Sequence, residues 1–229
     1  MRQAKVAAIV VSHDSGSCLE KCLASLGAQD HGLEQIIVVD SGSSDPSYLS
    51  QYEVQYGIQL LLQENIGFSR GNNLGLTKVV PDVDLILFLN PDVFLPVDCV
   101  RQALDVLEQS PQADIVSGKL LGYDLEAEKP SGRIDSTGIM RSWYGRWYDR
   151  GQGEIDRGQY DVAEEMTALC GALLFCRQAS LKTLDAPLFD PDFFLYKEDV
   201  ELGIRVKDRG WKLLYHPEIV AHHCRGWQG

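Results

Sequence analysis

Apolar runs alternate with amphipathic stretches through the first half of the chain. Val6–Val11 and the run Leu85 to Leu89 are apolar on both faces, the pattern of strands buried between two covering layers in a parallel sheet. Cys18–Ala28 places Leu19, Cys22, Leu23 and Leu26 on one helical face, and Ile36–Val39 reads as a second strand. A short helix over Pro46–Tyr56, a strand over Ile58–Leu62 and a helix over Phe68–Val79 follow. The strand ending at Asn90, a helix over Val97–Gln109 and a strand over Asp114–Ser117 complete the series. Strands and helices alternating at this spacing predict an α/β fold, a mostly parallel central sheet flanked by helices.

From Gly122 to Glu165 the periodicity is lost in a stretch rich in Gly, Arg and aromatic residues, which reads as an excursion over one face. Regular elements return at Leu169–Cys176 and at Gln178–Leu184. After a Phe189–Tyr196 loop come a helix over Glu198–Arg209 ended by Gly210 and strands over Lys212–Tyr215 and Ile219–His222. No internal repeat or low-complexity linker divides the 229 residues. One domain is expected, with a nucleotide-binding half over 1–120 and an acceptor-side half over 121–229.

The 21 Lys and Arg residues against 33 Asp and Glu leave a net charge of −12. That leaves no general field attracting nucleic acid or anionic lipid, with a local basic patch still open. No apolar run reaches the roughly 18 residues of a membrane span, so a cytoplasmic protein is expected, with peripheral association at the inner membrane face still open. The six Cys residues show neither CxxC pairs nor zinc-ligand spacing, and read as small buried thiols.

Candidate chemistry gathers where strands end, because ligands of open α/β sheets bind beyond the strands' carboxyl edge. Asp92 stands just past Leu85–Leu89, after Pro91, which offers no N–H to the ladder. A carboxylate held there suits Mg²⁺ or Mn²⁺ carrying phosphate oxygens; the same residues also fit an ordinary strand-to-helix turn. Asp40 opens the polar turn Asp40–Asp45, either to accept from a nucleoside or to cap the next helix. In Asn65–Gly75, glycines and asparagines sit at a strand-to-helix junction with Arg70 in the first turn, arranged for a phosphate or for a plain turn.

Glu198 and Asp199 open a helix whose dipole favours ionised carboxylates, so one of them can serve as a base or both can be N-terminal decoration. His222 and His223 end the last strand. As neighbours on a strand they point to opposite faces, so only one can be a further metal ligand near Asp92. Trp143 and Trp147, with Tyr144 and Tyr148 between arginines, form either a platform for sugar rings or a satellite core. The absence of GxGxxG after the first strand and of GxxxxGK[ST] anywhere disfavours dinucleotide and P-loop binding.

Taken together, these segments resemble the inverting family 2 glycosyltransferases of the GT-A fold, most closely their rhamnosyltransferase-like branch. The resemblance rests on Val10-Val11-Ser12-His13-Asp14, Val39-Asp40-Ser41-Gly42-Ser43-Ser44-Asp45, Asn65-Ile66-Gly67-Phe68 and Asn72-Asn73-Leu74-Gly75. It continues through Leu89-Asn90-Pro91-Asp92-Val93, Cys170-Gly171-Ala172, Phe189-Asp190 and Phe193-Phe194-Leu195-Tyr196-Lys197-Glu198-Asp199-Val200.

The resemblance implies a nucleoside diphosphate sugar donor, with deoxythymidine diphosphate rhamnose as the branch-level expectation. It implies Mg²⁺ or Mn²⁺ as cofactor and a glycan or lipid-linked saccharide as acceptor. Asp199 is then the base with Glu198 beside it, Asp92 the metal ligand, and His223, or His222 by a one-residue slip, the C-terminal histidine. Ser12, Asp14, Asp40, Asn65, Gly67, Arg70, Asn72 and Asn90 fall on the nucleotide-sugar side, and Trp143, Trp147, Gly171 and Tyr196 on the acceptor side.

Two departures stand out. Asn90 replaces the first acid of a strict DxD, leaving fewer charged metal ligands, and Asp14 stands where Asn is usual. Family members often continue beyond the equivalent of Gly229, so a trimmed C-terminus is also expected. The alternatives are a nucleotidylyltransferase, which would need a basic Gly-rich loop where His13-Asp14-Ser15-Gly16-Ser17 has none, and a non-catalytic carbohydrate-binding protein with this fold.

Overall fold

The computed structural model describes residues 2–225. Four βα units open the chain: β1 (Val6–Ser12) and α1 (Gly16–Gly27), β2 (Gln35–Ser41) and α2 (Leu49–Tyr56), β3 (Gln59–Gln63) and α3 (Gly67–Leu76), then β4 (Leu85–Leu89), the two-residue β5 (Val93–Phe94) and α4 (Cys99–Gln109). Next come β6 (Ile115–Asp124), β7 (Lys129–Ser136), β8 (Ile139–Arg141), β9 (Trp147–Asp149) and β10 (Glu164–Met166). The chain continues with β11 (Leu173–Arg177), α5 (Gln178–Leu181), α6 (Glu198–Lys207) and β12 (Leu213–His223).

The main sheet runs β10-β12-β6-β11-β4-β1-β2-β3, with β5 on β12 and β7 on β6. Strands β4, β1, β2 and β3 are mutually parallel, and β12 is parallel to β6. Alternation along β1 feeds two cores: Val6, Ala8 and Val10 pack with α1 and α4, whereas Ala7, Ile9 and Val11 pack with residues of α3 and α6. This is why the strand reads as continuously apolar.

Of the strands that break the parallel pattern, β11 is the one inside the sheet, and it positions the site. β11 lies antiparallel between β4 and β6, pairing Leu173 with Leu89 and Phe175 with Val116. Its leading residues therefore sit at the carboxyl edge of β4, where Asn90 N–H donates to the Ala172 carbonyl at 3.0 Å.

Two differences from the expected elements have clear causes. The stretch from Gly122 to Glu165 is not irregular but carries the end of β6, all of β7 to β9 and the start of β10. The first five residues of β7, Lys129 to Arg133, are all exposed and include no large apolar side chain, so no alternation marks the strand. A buried Lys119 ammonium bonds Asp156 at 3.0 Å and also Asp161, fastening the later part of the stretch. The two expected C-terminal strands are one strand, β12, whose register breaks between Tyr215 and Val220, around Pro217, which has no N–H to donate. There β12 crosses very close to β6: a Cβ on Gly118 would stand 2.0 Å from the Ile219 carbonyl oxygen.

Candidate active site

A cavity of about 510 Å³ opens at the carboxyl edge of β4. Asn90, Asp92 and His223 line one part of it, Gly171, Glu198 and Asp199 another, and Tyr148, Asp149 and Arg225 a third.

Strand pairing brings Asp92 and His223 together. β5 pairs with the end of β12, His223 opposite Val93, and Cys224 N–H donates to the Asp92 carbonyl at 2.9 Å. The His223 Nε2 lies 3.3 Å from Asp92 Oδ1, and its Nδ1 lies 2.7 Å from Oδ2 of the fully buried Asp135. Asp135 is the extra residue of a β-bulge: Ile134 faces Leu121 and Ser136 faces Leu120, so the carboxylate between them leaves the regular alternation. Burial disfavours the His223 imidazolium, but the hydrogen bonds and charges of Asp135 and Asp92 outweigh it and raise its pKa to about 9. Burial likewise pushes the Asp92 carboxyl up, and the His223 bond and charge reverse the balance to a net lowering.

Asp199 sits in the first turn of α6, where Glu198, Asp199 and Glu201 meet the positive end of the helix dipole. The backbone before it is unusual, with Tyr196 and Lys197 both left-handed at φ 69° and 73°. Non-glycine residues are held in that region only where the surroundings insist, and such positions concentrate at functional sites. Asp199 Oδ2 accepts from Gly171 N–H at 3.2 Å and Oδ1 from Val200 N–H at 2.8 Å. Burial raises the Asp199 pKa against those two bonds. Neighbouring Glu198 is pushed by burial to about 7, and its Oε2 is buried without a partner. Asp199 thus has fixed oxygens, each with a free lone pair, at the cavity wall.

The fit of a divalent ion can be judged from the donors. Among the described residues no three His, Cys, Asp or Glu side chains form a ready cage. Asp92 and His223 nevertheless converge on the cavity, and the neighbouring Asn90 Oδ1 is buried without a partner. Carboxylate, imidazole and amide oxygen suit Mg²⁺ or Mn²⁺ that also takes phosphate oxygens from a nucleotide. The residues fit once the ion displaces the proton on His223 Nε2, as metal binding at a histidine requires, and Asp135 on the far imidazole nitrogen is the usual orienting partner of a ligating histidine.

A family model described as glycosyltransferase-like family 2 matches residues 3–226. The chain belongs to that family. It is 24% identical over 235 residues to N-acetylglucosaminyl-diphospho-decaprenol L-rhamnosyltransferase of Mycobacterium tuberculosis strain H37Rv, covering 94% of this chain and 75% of that protein. It is 25% identical over 222 residues to rhamnosyltransferase WbbL of Escherichia coli strain K12, covering 94% and 81%.

Among solved structures, GalNAc-T7 with UDP, GalNAc and Mn²⁺ superposes with a TM-score of 0.77 at 14% identity, over 99% of this chain and 45% of that one. The mannosyltransferase PcManGT of Pyrobaculum calidifontis with GDP-Man and Mn²⁺ does so at 0.68 and 16% identity, over 100% and 59%. The chain thus spans about half the length of these solved neighbours. These likenesses give the glycosyltransferase its GT-A fold.

The other expected site residues fall into three places. Asp14, Asp40 and Asn65 join one network beyond the cavity lining. Asp40 accepts from the backbone and hydroxyl of Ser43, Asp14 from the backbone and hydroxyl of Ser44 at 2.7 and 3.0 Å, and Asn65 Oδ1 from Ser41 and Gly67. Ser12, buried at the end of β1, has a hydroxyl without a partner. Gly67, at φ 76°, lets Phe194 approach: a Cβ there would stand 2.5 Å from the Phe194 carbonyl oxygen.

Arg70 and Asn72 are engaged elsewhere, Arg70 Nε with the Pro191 carbonyl and Asn72 Nδ2 with the Phe68 carbonyl within α3. Of the histidines, His223 faces the cavity, while His222 packs near the Tyr123 ring, its pKa lowered by burial. Gly171 and Tyr196 line the cavity; Trp147 lines a neighbouring groove, and Trp143 lines neither.

Asp135, Asp149 and Arg225 were not legible in the sequence. Arg225 bonds Asp149 at 2.7 Å and approaches Asp135 at 3.7 Å, joining β9, β7 and the end of β12. Asp135 and Asp149 lie within the aperiodic stretch, and nothing in their neighbours' types distinguishes them.

Proposed function

We propose that the chain catalyses single-displacement, configuration-inverting transfer of a sugar from a nucleoside diphosphate sugar, with residues 1–120 as nucleotide side and 121–229 as acceptor side of one domain. The observation that carries this reading is the Asp199 carboxylate, buried at the cavity wall with both oxygens oriented by backbone N–H groups and its pKa raised, sharing that cavity with the Asp92–His223 pair.

A base with a raised pKa is better matched to an alcohol proton than an ordinary carboxylate. Asp199 takes the acceptor hydroxyl's proton as that oxygen bonds to the anomeric carbon and the diphosphate leaves with the bonding pair. Asp92, His223 and Asn90 would hold Mg²⁺ or Mn²⁺. The ion, when bound, would supply charge neutralisation for the departing diphosphate. Asp135 keeps the His223 ring turned toward Asp92. Asp40, Asp14 and Asn65 shape the turn that receives the nucleoside.

The names of the bacterial relatives favour rhamnose as the transferred sugar, and the first of them favours a polyprenyl-diphosphate-linked saccharide as acceptor; the family resemblance adds deoxythymidine diphosphate as the carrier. Thermal unfolding with UDP, dTDP, GDP and ADP, each with Mn²⁺, Mg²⁺ or chelator, tests the reading. Saturation at about a hundred times Kd adds roughly 2.7 kcal/mol. A metal-dependent shift with dTDP is the expected result, and a flat response to all four nucleotides would overturn it.

A further inference from the structure

The tip of the β8–β9 hairpin is built in a way the catalytic reading does not use. Trp143 is 96% exposed and Tyr144 63%, their rings edge-on at 5.4 Å. Gly145, at φ 93°, turns the chain between them and Arg146. From Ile139 to Tyr148 the segment contains no acidic residue, in a chain of net charge −12. Arg141 and Arg146 are exposed and meet no carboxylate among the described residues, whereas Arg150 and Arg225 are tied to Glu164 and Asp149. Arg141 lies over the Trp147 ring at 5.7 Å.

A second exposed apolar segment shares the cavity lining with β9 of this hairpin. Phe194, Leu195 and Tyr196 precede α6 and are all solvent-exposed. Leu195 and Tyr196 line the catalytic cavity together with Tyr148 of the hairpin, and Phe193 lines the neighbouring groove with Trp147. Exposed side chains of both segments, Tyr148 on one and Leu195 and Tyr196 on the other, therefore line the cavity, and the first segment carries the arginines without a carboxylate partner. Trp and Tyr settle at the headgroup level of a bilayer, and arginines there add attraction to anionic lipid.

We propose that the β8–β9 tip and Phe194–Tyr196 dock on an anionic membrane surface, so that the cavity opens at headgroup level. The charge decides for an anionic bilayer: an acidic protein concentrates two arginines without a carboxylate partner beside the most exposed tryptophan among its described residues. Docking itself needs no acceptor; its use rests on the lipid-linked acceptor proposed above, whose saccharide would be presented at that height.

The test is co-sedimentation of the intact chain with vesicles of phosphatidylcholine alone and with about one-third phosphatidylglycerol. Wild type should pellet with the anionic vesicles and be released by salt. The double variant W143S/Y144S should partition about tenfold or more weaker, and Arg141→Gln and Arg146→Gln should each cost about fivefold on the anionic vesicles only. Because these side chains are exposed, unchanged Tm values identify the variants as folded.

Failure of wild type to bind, or binding indifferent to all of these substitutions, would overturn docking. So would a concentration-dependent dimer lost in W143S/Y144S, which would assign the face to a second copy. Binding of a soluble oligosaccharide lost in that variant, without vesicle binding, would assign it to a glycan instead. Vesicle binding by a protein that refuses a lipid-linked acceptor would sink the acceptor reading and leave docking standing. Transfer to that acceptor in detergent without vesicle binding would do the reverse.

Discussion

The carboxyl edge of β1, β2 and β3 and the cavity beyond β4 are both polar, yet they handle their polar atoms in opposite ways. Along the first edge Asp14, Asp40, Ser41, Ser43, Ser44 and Asn65 answer one another, while the buried Ser12 hydroxyl beside them has no partner. In the cavity, Asn90 Oδ1, Asp149 Oδ1 and Glu198 Oε2 are buried without partners, and two carboxylates share one imidazole. Buried unpaired polar atoms cost stability, so a native protein keeps them where something else completes them. The first edge is finished before any ligand arrives; the cavity is not.

The sharpest way to break that contrast is Asp199→Asn. It should lower kcat about a thousandfold while calorimetric nucleotide affinity stays near wild type, and substantial retained turnover would remove Asp199 as the base.

Next is the pair at the far wall. Asp92→Ala should abolish the metal dependence of nucleotide binding. Asp135→Asn should weaken Mn²⁺ affinity in the presence of nucleotide by about 10–100-fold, read by titration without any turnover. A metal titration unchanged by Asp92→Ala would sink its role.

On the other side of the comparison, Asp40→Ala deletes the acceptor of two Ser43 bonds in a buried turn. It should cost about 2 kcal/mol, a Tm loss of roughly 4–8 °C, with no change in metal affinity. A larger effect on metal than on Tm would show that the two regions are not separate.

The smallest effect concerns Glu198 and pH. Its folded pKa of about 7 exceeds the ordinary value of 4.5, so the fold favours the protonated acid. The native state then binds more protons than the unfolded chain between those values, and stability falls as pH rises from about 4.5 to about 7. Glu198→Gln should gain Tm relative to wild type across that window and hold the gain above it. A difference that is flat with pH would return Glu198 to an ordinary carboxylate.

How far the sequence could be read follows the same division. The parallel strands were legible because burial on two faces leaves an unbroken apolar run, as in Leu85–Leu89, and Asp40, Asp92 and Asp199 drew attention because each stands at the edge of an element, Asp40 near the end of β2, Asp92 just past β4 and Asp199 in the first turn of α6. β7 was not, because its exposed half shows no alternation, and Asp135 depends on a bulge that no residue type announces. Arg70, Asn72 and Trp143 also stood where chemistry was expected: Arg70 Nε and Asn72 Nδ2 meet backbone carbonyls, and Trp143 is exposed.

The antiparallel strand β11, set between β4 and β6, has a mechanical consequence. Because the residues leading into it hold Asn90 N–H through Ala172 and the Asp199 carboxylate through Gly171 N–H, two adjacent residues at the entry of one strand touch both chemical ends of the cavity. The span between the proton-accepting end and the end that receives the leaving group is then set by a rigid ruler in the middle of the sheet, and α6 cannot drift from β4 without first pulling on that strand.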